Sequence, residues 1–200
     1  MSSFVGHSLL GWTIGITAAP ANSLLNRHRI LWAGWLVIVA VAPDFDYVVP
    51  LLNSSAHEGV RITHSLFFAS LLPLLTLLCL QRLNLSEAQL MRAGLQLILA
   101  GSSHICLDLL VGVATLPVAW PVSTHAFKLP FGLLPSAGKL RLDNYFFYRN
   151  LAIEMGVLLP LSASWILRQS GRWYRERQVC IGLLMLISVY FMHWAYGLSR

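Results

Sequence analysis

At 200 residues the chain has the length of one ordinary domain, yet 56% of it is hydrophobic and only 11% is Asp, Glu, Lys or Arg. A soluble domain carries about 25% charged residues, so the polar coat is missing, and a mean hydropathy of +0.66 points the same way. Disorder, a nucleic-acid-binding basic domain and a collagen-like fibre are excluded. What remains is a polytopic membrane protein, whose formal net charge of +6 belongs to loops, membrane orientation and contact with acidic lipid headgroups.

Residues 1–4 lack a basic region and Gly6-His7-Ser8 interrupts the apolar run after them, so no removable signal peptide is expected. Apolar stretches fall at about residues 4–20, 30–51, 65–81, 89–119, 146–167 and 178–197. A hydrocarbon core about 30 Å thick takes about 20 helical residues, and several of these qualify. The first is weak and is expected to lie shallow or to pack only against protein. The fourth is long enough to span and to continue through a bend near Gly112 and Pro117, and Pro160 is expected to kink the fifth. Residues 120–145 mix Pro, Gly and polar groups and read as an ordered loop with little helix. The expected fold is all-α: a polytopic membrane bundle of five or six apolar helices in one unit over residues 1–200. Cys79, Cys106 and Cys180 all lie in apolar segments, too few and too dispersed for a disulfide framework.

Arg27, Arg29, Arg82, Arg92, Arg168, Arg172, Arg175 and Arg177 occupy three alternate connections, so those connections are expected in the cytoplasm. The loops near residues 52–64 and 120–145 then face outwards, although Lys128, Lys139, Arg141 and Arg149 make that side basic too. Trp12, Trp32, Trp35, Trp120, Trp165, Trp173 and Trp194 fall mostly near segment ends, where interfacial anchors stand. His28 and His193 read as interfacial and His125 as a surface residue of the outer loop.

Only eight residues are acidic, yet Asp44, Asp46, Asp108 and Glu154 lie within or beside apolar segments, as do His7, His64 and His104. A buried ion in lipid costs several kcal/mol unless it is paired or bound to a metal. Counted from the basic ends at 1.5 Å per helical residue, Asp44, His64, Asp108 and Glu154 sit roughly 21–27 Å above the cytoplasmic side, and the spacing from His7 to Arg27 allows a similar height. Placement of five segments' polar groups at one level points to a shared site. His104 and Asp108, four apart, share one helix face, and imidazole and carboxylate are the usual ligands of Zn²⁺ and its neighbours. Pro43 is expected to end its helix and present Asp44-Phe45-Asp46 in an extended or turn form. The two carboxylates could then bridge two cations, or one could ligate while the other fixes a histidine tautomer. Thr63 is expected to cap the third helix, with His64 at its positive end. Taken singly each of these is weak: a lone membrane histidine is more often a packing residue, His104 with Asp108 could be a structural pair, and Glu154 could serve a proton relay or pair with Arg149. His57-Glu58 begins like a zinc-protease helix, but Arg61 stands in place of the second histidine.

In this order Gly6-His7, Pro43-Asp44-Phe45-Asp46, Arg61-Ile62-Thr63-His64-Ser65 and Ser103-His104 with Asp108 resemble the YdjM-like inner-membrane family. Its members are described as LexA-regulated, membrane-bound, metal-dependent hydrolases. Trp120-Pro121 followed by Phe127-Lys128-Leu129-Pro130 resembles that family's outer loop; the likeness spans about residues 6–155, with residues 156–200 adding transmembrane helix. The family is in turn similar to the zinc-dependent phospholipase C and single-strand nuclease superfamily. That resemblance implies metal-ligand roles for His7, Asp44 or Asp46, His64, His104 and Asp108, with Glu154 at a late ligand position where Asn150 replaces the expected histidine. His57 stands out of register with the family pattern.

The resulting expectation is metal-assisted hydrolysis of a phosphoester at the outer face of the inner membrane, with one or more divalent ions, Zn²⁺ first and Mn²⁺ second. Asp44 or Asp46 would accept a proton from water, and Arg61 would hold phosphate oxygens. Lys128, Lys139 and Arg141 would attract an anionic headgroup. The substrate would be membrane lipid, a lipid-linked molecule or a small phosphoester, with no nucleic acid partner. A proton-coupled transporter using Asp44, Asp108 and Glu154 is a rival, but internal repeats and mid-membrane placement are missing. A metal-stabilised, non-catalytic membrane protein is the other.

Overall fold

Residues 1–17, 28–49, 61–137, 143–169 and 174–198 are described by a computed structural model. Six α-helices run through them: α1 (Phe4–Thr17), α2 (Arg29–Val41), α3 (Leu66–Leu80), α4 (Glu87–Val111), α5 (Tyr145–Gln169) and α6 (Tyr174–Tyr196). No strand occurs among the described residues, only one antiparallel bridge between Leu116 and Phe127. Four stretches are long and apolar enough to cross a membrane: Arg29–Tyr47, Glu87–Val111, Tyr145–Gln169 and Arg175–Tyr196. At 14 and 15 residues, α1 and α3 are short of a full span.

Small residues decide how α1 fits. Gly6, Gly11 and Gly15 share its buried face with His7 and Thr13. A Cβ on Gly11 would lie 2.7 Å from the Leu36 carbonyl oxygen, and one on Gly15 would lie 2.5 Å from the Ala33 Cα. The two backbones therefore touch, the kind of close approach that small residues allow between helices in lipid. α1 also packs on α4 and α5, so a short helix sits at the centre of the bundle. Trp32 Nε1 donates to Gln96 Oε1 at 2.9 Å, and Gln96 Nε2 donates to the Ile14 carbonyl at 2.8 Å, tying α1, α2 and α4 together.

Pro43, near the start of a 3₁₀ helix over Ala42–Val48, tightens the chain where α2 ends rather than extending it. A second 3₁₀ turn, Ile62–His64, precedes α3. Ser65, not Thr63, caps α3: its Oγ accepts from the Phe68 amide at 3.3 Å. α4 opens on a capping box of Ser86 and Gln89 and ends at Gly112, whose φ of 65° suits a residue without a Cβ. The chain does not bend and continue as helix there. It turns into an ordered loop that folds back, with the Leu133 and Leu134 amides donating to the Leu110 carbonyl at 2.7 and 3.1 Å.

Two apolar clusters flank the polar centre along α4, one around Leu36, Leu97 and Ala100, the other around Leu107, Val111 and Val157. α6 packs on α5, with the Phe191 ring on Gly156, and exposes Val179, Leu183, Leu186 and Tyr190. Cys79, Cys106 and Cys180 are exposed on the helix surfaces. Trp32 is buried, unlike the exposed Trp12, Trp165 and Trp194, and its indole N–H finds Gln96 as a partner inside the bundle. Arg27, His57, Glu58, Lys139, Arg141, Arg172 and Trp173 lie outside the described residues.

Candidate metal centre

Four side chains from three elements converge. Asp44 comes from the first 3₁₀ helix, His64 from the second, and His104 and Asp108 from adjacent turns of α4. The i, i+4 spacing stacks the last two, and Pro43 turns Asp44 inwards. One donor atom from each of the four lies within 4.8 Å of the others, so the group could hold a metal ion. His64 Nε2 stands 3.2 Å from Asp44 Oδ1 and 3.6 Å from Asp108 Oδ2; His104 Nε2 stands 3.7 and 3.6 Å from the same two oxygens. All four residues are buried.

The hydrogen bonds around the histidines place a proton on Nδ1 of each ring. His104 Nδ1 lies 2.8 Å from the Ala40 carbonyl, which can only accept, so Nδ1 carries the proton. Thr63 Oγ1 donates its one proton to Asp46 Oδ2 at 2.8 Å, so it must accept from His64 Nδ1 at 3.0 Å. His64 Nε2 also lies within hydrogen-bonding distance of Asp44 Oδ1, at 3.2 Å; in the neutral form, each imidazole so held aims an unprotonated Nε2 at carboxylate oxygens. Lone pairs then face lone pairs, an arrangement that a cation between them makes favourable. Among the described residues, His104 Nε2 and Asp108 Oδ2 have no hydrogen-bond partner, although buried polar atoms normally find one.

Asp46 faces the other way. Arg61 donates to it from Nε at 2.9 Å and from Nη2 at 2.5 Å, a two-pronged pair, and Asp46 Oδ2 is 3.8 Å from His64 Nδ1. Arg61 Nη1 reaches the Tyr47 hydroxyl at 3.3 Å and Met1 Sδ at 2.6 Å. Burial alone would lower the pKa of Arg61, but its bonds to Asp46 and Tyr47 hold it above the ordinary arginine value. Arg61, Asp46 and Thr63 thus form a chain of contacts that ends on His64.

His7 is fully buried beside the four, its ring stacked on His104 with centroids 4.0 Å apart. Its Nε2 lies 3.5 Å from Asp108 Oδ1 and 3.8 Å from Asp44 Oδ2, and neither ring nitrogen has a hydrogen-bond partner among the described residues. Glu154 is buried too but turns to the first residues of the chain, accepting from Ser2 Oγ and from the Ser3 amide at 3.0 Å. It does not pair with Arg149, which donates to Asn150 Oδ1 and lies over Phe146. The Ser2 amide donates to Asp108 Oδ1 at 2.8 Å. Ser2, Ser3, the Ala40 carbonyl and the relay role of Thr63 were not singled out from the sequence. Only Thr63 carried a signal, its position next to His64; backbone groups carry none.

A helical bundle with four candidate membrane spans encloses a buried histidine–carboxylate group that could hold a metal ion: this is a membrane protein with a candidate metal centre. The chain belongs to the family described as YdjM inner membrane protein, whose model matches residues 1–196. No curated protein and no solved structure matches it.

Proposed function

We propose that the protein is a membrane-embedded, metal-dependent phosphoester hydrolase whose site faces the outer side of the inner membrane. The reading rests above all on the bare, partnerless Nε2 of His104 and Oδ2 of Asp108 within a buried two-His, two-Asp group. Ligands about 2.0–2.1 Å from a tetrahedral zinc ion stand about 3.3–3.4 Å apart. The four His–carboxylate separations of 3.2–3.7 Å suit a divalent ion of that size, Zn²⁺ first and Mn²⁺ second. When bound, such an ion would acidify water and polarise a phosphoryl oxygen.

The chain's own residues then have distinct tasks. Ala40 and Thr63 hold the two imidazoles in the ligating tautomer. Asp46 is occupied by Arg61 and Thr63 and acts as a positioning residue. Asp44 lines an open cleft as well as the metal group, so it is the carboxylate placed to take a proton from water. Arg29, Arg82, Arg92, Arg168, Arg175 and Arg177 mark the cytoplasmic side by charge, which supports the outward orientation.

A second reading has its own support. Four protein ligands is the number typical of structural zinc, whereas catalytic zinc keeps a place open. A metal-stabilised, non-catalytic membrane protein would need no cleft at Asp44, and one is there. Metal analysis of the purified protein, with a screen of lipid and soluble phosphoesters before and after chelation, tests the proposal. Near-stoichiometric Zn²⁺ or Mn²⁺ and chelator-sensitive hydrolysis are expected. Full metal content in the double variant His104→Ala, Asp108→Ala would overturn the ligand assignment; bound metal with no hydrolysis of any phosphoester would favour the second reading.

A further inference from the structure

The cleft that reaches Asp44 has a volume of about 680 Å³. Its walls are Phe4 and Val5 of α1, Tyr47 beyond α2, and Phe147 and Leu151 of α5, together with the first residues of the chain. Asp44 is the lining residue that also belongs to the metal group. Phe147 and Leu151 lie near the start of a candidate membrane span, in a stretch that also exposes Tyr145, Phe146 and Tyr148. Aromatic residues gather in that way at the level of lipid headgroups. Two other clefts, of 500 Å³ between α3 and α4 and 480 Å³ among α1, α5 and α6, do not include any of the four metal-group residues.

Resting on the hydrolase reading, we propose that this cleft binds one hydrocarbon chain of a membrane lipid, directing the lipid's phosphorylated head towards Asp44. Three observations select that occupant. The walls are largely apolar, the cleft is continuous with the candidate site, and its volume suits a single chain. A methylene fills roughly the space of one water molecule, about 30 Å³, so 680 Å³ holds on the order of 20 heavy atoms. One long chain fits; the two chains of an ordinary phospholipid do not, and the second stays in the bilayer. Lateral access of this kind leaves the rest of the lipid in place and exposes only the ester bond to the site.

The test uses the full-length, metal-loaded protein in vesicles of phosphatidylethanolamine and phosphatidylglycerol, with a trace phospholipid bearing a diazirine on one acyl chain. After irradiation, adducts are mapped by mass spectrometry. Adducts are expected to concentrate on Val5, Phe147 and Leu151 over the exposed Val179 and Leu186 of α6. Filling the cleft by Leu151→Trp, or by Val5→Trp should the first variant misfold, is expected to lower cleft labelling about tenfold or more. Leu74→Trp, in the α3–α4 cleft, is expected to leave it unchanged. Equal labelling of the cleft and of α6, or full labelling in both filled variants, would overturn the proposal. Hydrolysis of a water-soluble phosphoester without cleft adducts would keep the activity and remove the chain site. Cleft adducts without hydrolysis of any phosphoester would do the reverse.

Discussion

Thr63→Val offers the sharpest check on the metal centre, because it changes no ligand. Valine keeps the β-branch and most of the volume but removes the hydroxyl that accepts from His64 Nδ1 at 3.0 Å and donates to Asp46 Oδ2 at 2.8 Å. Each buried hydrogen bond contributes about 0.5–1.5 kcal/mol net, so losing two costs about 1–3 kcal/mol. At 1.4 kcal/mol per tenfold, metal affinity falls roughly 5- to 150-fold, in line with the 10- to 100-fold typical of groups that hold a metal's histidine. Competition between detergent-purified apoprotein and a fluorescent zinc chelator measures it directly. Thr63→Ser retains the hydroxyl and should bind close to wild type. Wild-type affinity in Thr63→Val would show that the chain from Arg61 to His64 does not position the ligand, and an equal loss in Thr63→Ser would assign the effect to packing.

Glu154→Gln should retain the metal but release the first residues of the chain, since the amide accepts less strongly from Ser2 Oγ and the Ser3 amide; hydrogen exchange over residues 1–7 should rise while zinc content stays constant, and lost zinc would make Glu154 a ligand after all. Gly11→Leu should separate α1 from α2, because even its Cβ would meet the Leu36 carbonyl at 2.7 Å; a destabilisation of about 1–3 kcal/mol should lower the thermal unfolding midpoint, and an unchanged midpoint would contradict the close packing. Orientation can be read by thiol labelling in a background without native cysteines: Val122→Cys, at a position 94% exposed, should react with a membrane-impermeant reagent in intact cells, and Arg82→Cys only after permeabilisation. The opposite pattern would place the candidate site on the cytoplasmic side.

Several features were legible along the chain because they depend on local composition. Long apolar stretches announce membrane helices, since backbone polar groups in lipid must be satisfied within the segment, and the four candidate spans lie in those stretches. The alignment of His104 with Asp108 follows from 3.6 residues per turn. The rarity of acids and histidines in an apolar sequence marked His7, Asp44, Asp46, His64, His104, Asp108 and Glu154 before any contact was known, because burying such groups in lipid is costly.

How those residues divide the work depends on direction, which sequence spacing does not contain. Asp44 and Asp46 are two residues apart, yet the tight 3₁₀ turn sends one to the metal group and the other to Arg61. Glu154 accepts from Ser2 and Ser3, the first residues of the chain, contacts that spacing along the sequence does not contain. The end of α4 at Gly112 was settled by a single backbone angle, the cap at Ser65 by a local bond to the Phe68 amide, and the Trp32 N–H by a partner 64 residues away. Composition and helical period determine that polar groups stand among apolar segments and which of them share a helix face. Only the packed tertiary structure decides which atoms meet, since contacts of a few ångströms depend on where separate backbones approach one another.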